Sequence, residues 1–112
     1  MALRWQRQRT PHRIRPPVVL ELATLSVVPG RESEFEAAFA QARRLISAIP
    51  GFVSLELHKN TEISHRYVLL VKWRSVEDHS QGFRKSPEYA EWSRLLHHFY
   101  EPFPTVEYYR EV

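Results

Sequence analysis

The chain has 112 residues, 43% hydrophobic and 26% charged, with no cysteine and a formal net charge of +3. That is enough for one domain with one core, and it excludes disulfides, thiolate metal sites and cysteine nucleophiles. No apolar run approaches the ~20 residues that a membrane span requires, so a soluble, cytoplasmic domain is expected.

The positive charge is not spread evenly. Residues 1–17 carry Arg4, Arg7, Arg9, Arg13 and Arg15 and no acid, which leaves eleven basic against thirteen acidic residues in the remainder. A basic nucleic-acid-binding face is therefore not expected of the domain. Pro11, Pro16 and Pro17 discourage regular structure in the head. A flexible extension is the simplest reading, with a phosphate-binding arm or a weak transit-like segment as alternatives. The domain proper is expected over residues 18–112.

From Val18 the text VVLELATLSVV is β-branched and apolar, a strand covered on both faces. Pro29-Gly30 breaks it. Phe35, Phe39, Ala42, Ile46 and Ile49 then recur at helical spacing, with Glu32, Glu34 and Glu36 favourably placed in the first turns. Pro50-Gly51 ends that helix. Phe52 to Lys59 alternates as a second strand, with Val53, Leu55 and Leu57 on one face. After a polar turn, Arg66 to Trp73 forms a third. Ser75 and Asp78 resemble a capping box for a short helix whose inner stripe is Val76, His79 and Phe83. Ser86-Pro87 starts another helix, with Ser as N-cap and Pro at the first position. Its inner face is Tyr89, Trp92, Leu96 and Phe99. Pro102 and Pro104 end it, and Val106 to Glu111 supplies a fourth strand.

The order β-α-β-β-α-β predicts an α+β, ferredoxin-like fold with a four-stranded antiparallel sheet. Both helices would cover one face of that sheet. The other face, apolar in its strands, would need a second copy stacked against it, giving a homodimer that closes a dimeric α/β barrel.

The pattern resembles the antibiotic biosynthesis monooxygenase family of dimeric α/β barrels over roughly residues 18–109. The residues that carry the resemblance are Val27-Val28-Pro29-Gly30, Ile49-Pro50-Gly51-Phe52, Trp73 closing the third strand, and Ser86-Pro87. Members of that family include cofactor-free oxygenases of aromatic polyketides, quinol oxygenases and haem-degrading enzymes. The resemblance implies that Trp73 lines a pocket and that His79 occupies the position of a polar aromatic six residues beyond it. It departs from the polyketide oxygenases in having Leu69 where they place an Asn. Ser93, with Arg94 beside it, stands where they place an Arg. Haem degradation is disfavoured, because Phe83-Arg84 stands where the axial His would be and Ala23 where that branch places an Asn.

Taken singly, His79 should point inward with Val76 and Phe83. It is either a base for a phenol or enol proton, or a core histidine hydrogen-bonded within the fold. Trp73 either stacks on a ring system or packs as a large core residue. Arg84 could stabilise an enolate or superoxide-like anion in a dry site, or simply be solvated. Phe83, Tyr89, Trp92 and His97 are candidates to contact a substrate, although aromatics at helical spacing are equally core. His97 and His98 are adjacent, so they diverge by about 100° on a helix. With neither HxH nor HExxH spacing, no metal site is expected, and without a Gly-rich motif no phosphate cradle.

Two functions remain. The first is an oxygenase that uses no metal, flavin or other cofactor and acts on an electron-rich phenol, anthrone or quinol. The second is a barrel that binds or senses a small hydrophobic metabolite without changing it.

Overall fold

The computed structural model describes residues 17–112. The expected basic extension therefore lies, apart from Pro17, outside the described residues. Strands β1 (Val19–Ser26), β2 (Phe52–Lys59), β3 (Arg66–Trp73) and β4 (Val106–Arg110) form one sheet in the order β2-β3-β1-β4, every pairing antiparallel. Helices α1 (Glu32–Ser47) and α2 (Pro87–Leu96) cover one face of it. This is the ferredoxin-like arrangement expected from the element order.

Strand alternation decides which residues meet the helices. Val19, Glu21, Ala23, Leu25 and Val27 are buried, whereas Leu20, Leu22 and Ser26 are half-buried and Thr24 is exposed. In β3 the buried set is Tyr67, Leu69, Val71 and Trp73. The opposite sheet face is apolar only in its centre, where Leu22 pairs with Leu70 and Val68 and Leu20 flank them. Ser54, Glu56 and His58 of β2 and Glu107 of β4 make its edges polar.

Helix α1 buries Phe35, Phe39, Ala42, Leu45 and Ile46 and carries Glu32 and Glu34 in its first turn, where the helix dipole favours negative charge. Helix α2 starts as expected: Tyr89 N–H donates to the Ser86 hydroxyl at 3.1 Å, with Pro87 just inside.

Three details differ from expectation. Val53 does not share the inner face of β2: a bulge between Phe52 and Ser54 leaves it 45% exposed. The short helix after β3 is π-wound over Asp78–Phe83, with Arg84 N–H donating to the His79 carbonyl at 3.1 Å, an i to i+5 bond. Helix α2 stops at Leu96, and His97–Phe99 tighten into a 3₁₀ turn. The stop has a cause: Val28 N–H donates to the Phe99 carbonyl and Glu101 N–H to that of Ser26, both at 2.8 Å. Those bonds pin the chain to the end of β1 before the prolines are reached.

Gly51 sets how closely the π-wound segment can approach the sheet. Its φ is +93°, and a Cβ there would overlap the Asp78 carboxylate. Only glycine lets that segment sit against the start of β2. Ser75 helps fix the same segment by accepting the Asp78 N–H at 3.1 Å.

Candidate functional site

Between the sheet and α2 lies a cavity of about 60 Å³, open at one end. Its floor is the inner face of β1 and β3, through Glu21, Ala23, Leu25 and Leu69. One wall is the π-wound segment with His79, Phe83 and Arg84. The opposite wall is α2 and its 3₁₀ extension with Tyr89, Trp92 and His97, and Tyr100, Phe103 and Pro104 border the cavity from the following loop. Five of the expected site residues, Phe83, Arg84, Tyr89, Trp92 and His97, thus line one space together with His79. Phe83 is the hinge of this aromatic wall, its ring centre 5.1 Å from that of Tyr89 and 5.4 Å from that of Trp92, both edge-on.

Trp73 is placed differently. It is fully buried but does not line the cavity; it stands behind it, 5.5 Å from the His79 ring and 6.1 Å from that of Phe83. Its indole N–H donates to Glu21 Oε1 at 2.8 Å. The Trp73 donor is therefore committed inside the protein rather than offered to a bound oxygen species. Arg94, beside the position where the polyketide oxygenases carry Arg, donates to Glu91 on the surface at 2.7 Å and stays outside the cavity. Leu69, in the place of their Asn, is part of the floor.

The residue that sequence reasoning missed is Glu21. It is 4% exposed and His79 3% exposed, and His79 Nε2 lies 3.4 Å from Glu21 Oε2. The other ring nitrogen, Nδ1, is 2.5 Å from the Tyr108 hydroxyl. Register explains the cluster: Glu21 of β1 is paired directly with Tyr108 of β4, and Trp73 closes β3 opposite Val19. A signal was present, since Glu21 is an acid on the inner side of an otherwise apolar strand, a position where carboxylates are rare unless partnered.

Burial dominates the electrostatics. It pushes the Glu21 carboxyl up to about 7, against the Trp73 hydrogen bond and the Arg84 charge, which both pull it down. It pushes the His79 imidazolium down to about 4, with the Arg84 charge acting in the same direction. The contact between them at neutral pH is accordingly a carboxyl against a neutral imidazole, not an ion pair. His97 is lowered as well, by burial and then by Arg84. Arg84 is itself exposed, yet its charge reaches Glu21, His79, His97 and Tyr108. The site is a half-closed aromatic chamber with a buried acid–base couple where its floor meets one wall, and a cation on that wall. Among the described residues no group of three or more His, Asp or Glu side chains could hold a metal ion.

A four-stranded antiparallel sheet with two helices on one face defines the class of small ferredoxin-like α+β proteins. The chain matches the antibiotic biosynthesis monooxygenase family over residues 18–95, and it belongs to that family. It is 50% identical over 95 residues to the uncharacterized protein YczJ of Bacillus subtilis (strain 168), across 85% of this chain and 100% of that one. A Bordetella bronchiseptica crystal structure carrying the same family description is 36% identical, with a TM-score of 0.82 over 86% of this chain and 98% of that chain. SnoaB, a cofactor-independent oxygenase from Streptomyces nogalater, is similar in fold, with 21% identity and a TM-score of 0.67 over 86% and 92% of the two chains. No helix among the described residues is long and apolar enough to cross a membrane.

Proposed function

We propose that this chain is a cofactor-independent monooxygenase of the cytoplasm, acting on an electron-rich aromatic of the phenol, anthrone or quinol type. The observation that carries the reading is the Glu21–His79 couple, buried in a chamber walled by Phe83, Tyr89 and Trp92. A proton acceptor next to an apolar wall is what such chemistry asks of a protein. Removing one proton turns the substrate into an electron-rich anion, and that anion reduces molecular oxygen directly. The walls keep water from the radical pair until it recombines. Arg84 contributes a positive potential that favours the anionic form of the substrate, and His97 contacts the substrate near Tyr89, whose ring centre lies 5.7 Å away.

The occupant must enlarge the chamber. About 60 Å³ is less than the roughly 150 Å³ that admits benzene in an engineered cavity. Phe103, 60% exposed, is the most exposed of the lining aromatics, so its side chain is the one that turns outward.

The working unit is a homodimer, joined through the sheet face that carries Leu20, Leu22, Val68 and Leu70, because among the described residues the helices cover only the other face. Sedimentation equilibrium at micromolar concentration should give twice the 13.3 kDa chain mass.

Oxygen uptake tests the activity. With an anthrone and with a naphthoquinol, purified protein should consume oxygen at the same rate whether or not flavin is added. Binding of either compound, seen as quenching of tryptophan fluorescence, without oxygen uptake would replace this reading with a binding or sensing barrel.

A further inference from the structure

We propose that Glu21, not His79, is the catalytic residue that takes the substrate's proton and later gives it back, with His79 as its positioning residue. This rests on the oxygenase reading and assigns the proton within it.

The hydrogen bonds make the distinction. Both ring nitrogens of His79 are directed at protein groups, Nδ1 at the Tyr108 hydroxyl 2.5 Å away and Nε2 at Glu21 Oε2. A neutral imidazole has one ring lone pair: with the Tyr108 O–H donating to Nδ1 that pair is used, and Nε2 carries the hydrogen on the side of Glu21. Glu21 is held from one side only: Oε1 accepts the Trp73 N–H at 2.8 Å, while Oε2 lies 3.4 Å from His79 Nε2, too far for a strong hydrogen bond. Oε2 retains lone pairs, and Glu21 is part of the chamber floor. The cluster thus fixes one carboxylate oxygen and leaves the other available.

Charge points the same way. If Glu21 accepts the proton, its negative charge passes to the substrate and no new charge is created in the chamber. If His79 accepted it, a buried imidazolium would appear beside Arg84, whose charge already disfavours it. Four groups face Glu21: Trp73 from β3, His79 from the π-wound segment, Tyr108 from β4, and Arg84. Burial, working against the Trp73 hydrogen bond and the Arg84 charge, puts the carboxyl near neutrality, where both of its forms are populated and it can act first as base and then as acid.

For a methylene carbon of an anthrone the steps balance. A C–H proton moves to the Glu21 carboxylate and the electron pair stays in the enolate. One electron passes to molecular oxygen, the co-reactant, and the resulting superoxide and substrate radical join in a C–O bond. The peroxide takes the proton back from Glu21. The carboxylate then removes the second C–H proton as the O–O bond breaks, and that proton leaves with the departing hydroxide as water. The carbon ends as a carbonyl, and Glu21 ends as it began.

Proton removal can be measured apart from oxidation. In deuterated buffer without oxygen, the C10 hydrogens of 1,8-dihydroxyanthrone exchange at a rate that proton NMR follows. Wild-type protein should accelerate that exchange over buffer alone. Glu21→Gln keeps an acceptor for Trp73 and should lower the protein-dependent rate by roughly 10²–10⁴-fold with no fall in melting temperature. Glu21→Asp should fall between the two. His79→Gln should retain at least a tenth of the rate while shifting the midpoint of its pH profile. Wild-type exchange no faster than buffer, or Glu21→Gln exchanging as fast as wild type, overturns the assignment. Loss of exchange in His79→Gln with retention in Glu21→Gln also overturns it and makes His79 the acceptor. Oxygen admitted afterwards separates the two ideas: exchange that depends on Glu21 without oxygen uptake upholds this assignment and removes the oxygenase reading.

Discussion

Strands β1 and β3 run side by side through two aromatic clusters that are alike in composition and opposite in character. At one end, Leu25 and Tyr67 pack with Phe35, Phe39 and Phe99; Phe35 lies 4.9 Å from the Tyr67 ring and 5.8 Å from that of Phe99. The one polar atom there, the Tyr67 hydroxyl, reaches outward to Glu36 at 2.6 Å. At the other end, Trp73, His79 and Phe83 surround a polar group pointing inward, Glu21. The first cluster puts its carboxylate at the rim, where water shares the cost of its charge. The second puts its carboxylate inside, where desolvation raises it to about 7. A core and a site differ here by the depth of one acid.

The sharpest way to separate the two ends is to empty the first. Phe35 is completely buried and touches four other aromatic rings. Phe35→Ala should cost about 3–5 kcal/mol in urea unfolding, the usual range for deleting a buried aromatic side chain. Folded Phe35→Ala protein should keep any anthrone-dependent activity within a few-fold, since Phe35 does not border the chamber. Loss of activity in protein that is still folded would mean that the clusters are not independent.

The next effect is visible in the pH dependence of stability, and its sign differs between the two members of the couple. Glu21 has a raised folded-state pKa, so the native state binds the extra proton and stability falls as pH rises from about 4.5 to about 7. His79 has a lowered one, so stability falls in the other direction, as pH drops from about 6.5 to about 4. In wild type the two slopes oppose each other across the interval they share, giving a nearly flat profile there. Glu21→Gln should expose the His79 slope, with stability increasing from pH 4 to 6.5. His79→Gln should expose the Glu21 slope, decreasing from pH 4.5 to 7. Each slope should amount to a few kcal/mol in total. Thermal melts across that range check this; parallel profiles for all three proteins would show that the couple does not titrate as described.

The same contrast explains what the chain discloses before folding. The elements are legible because their signals are local: period-two and helical spacing, Pro-Gly at 29–30 and 50–51, and Ser86-Pro87 at a helix start. The family resemblance, and with it the inward placement of His79, rests on the same kind of signal. What stays hidden depends on register. Tyr108 meets His79 only because β4 pairs with β1 so that Tyr108 stands opposite Glu21, and no spacing within one element reveals that. The π winding at Asp78–Phe83 is equally silent, since over six residues its stripe is the same as an α-helical one. Resemblance makes Trp73 a pocket residue, and only the Glu21 hydrogen bond shows where its donor is committed. Glu21 itself is legible in principle, as the acid that an inward strand position does not ordinarily tolerate.

The finest test uses one substitution twice. Tyr67→Phe and Tyr108→Phe each delete a hydroxyl that holds a titratable partner, so size and shape are matched and only the setting differs. At the outer end, Glu36 is half exposed and keeps Lys59 Nζ at 3.2 Å, so water and Lys59 replace the lost donor. Tyr67→Phe should cost about 0.5–1.5 kcal/mol, the net worth of an ordinary hydrogen bond. At the inner end, His79 is 3% exposed, and Tyr108→Phe leaves a buried nitrogen without its partner. That should cost about 1–3 kcal/mol, and it frees the ring to turn away from Glu21, so the pH profile of stability should change shape as well. Tyr67→Phe should leave that shape untouched. Equal losses with unchanged profiles would mean that Tyr108 merely packs on the couple, and that the orientation of His79 is set by its contacts with Trp73 and Phe83 instead.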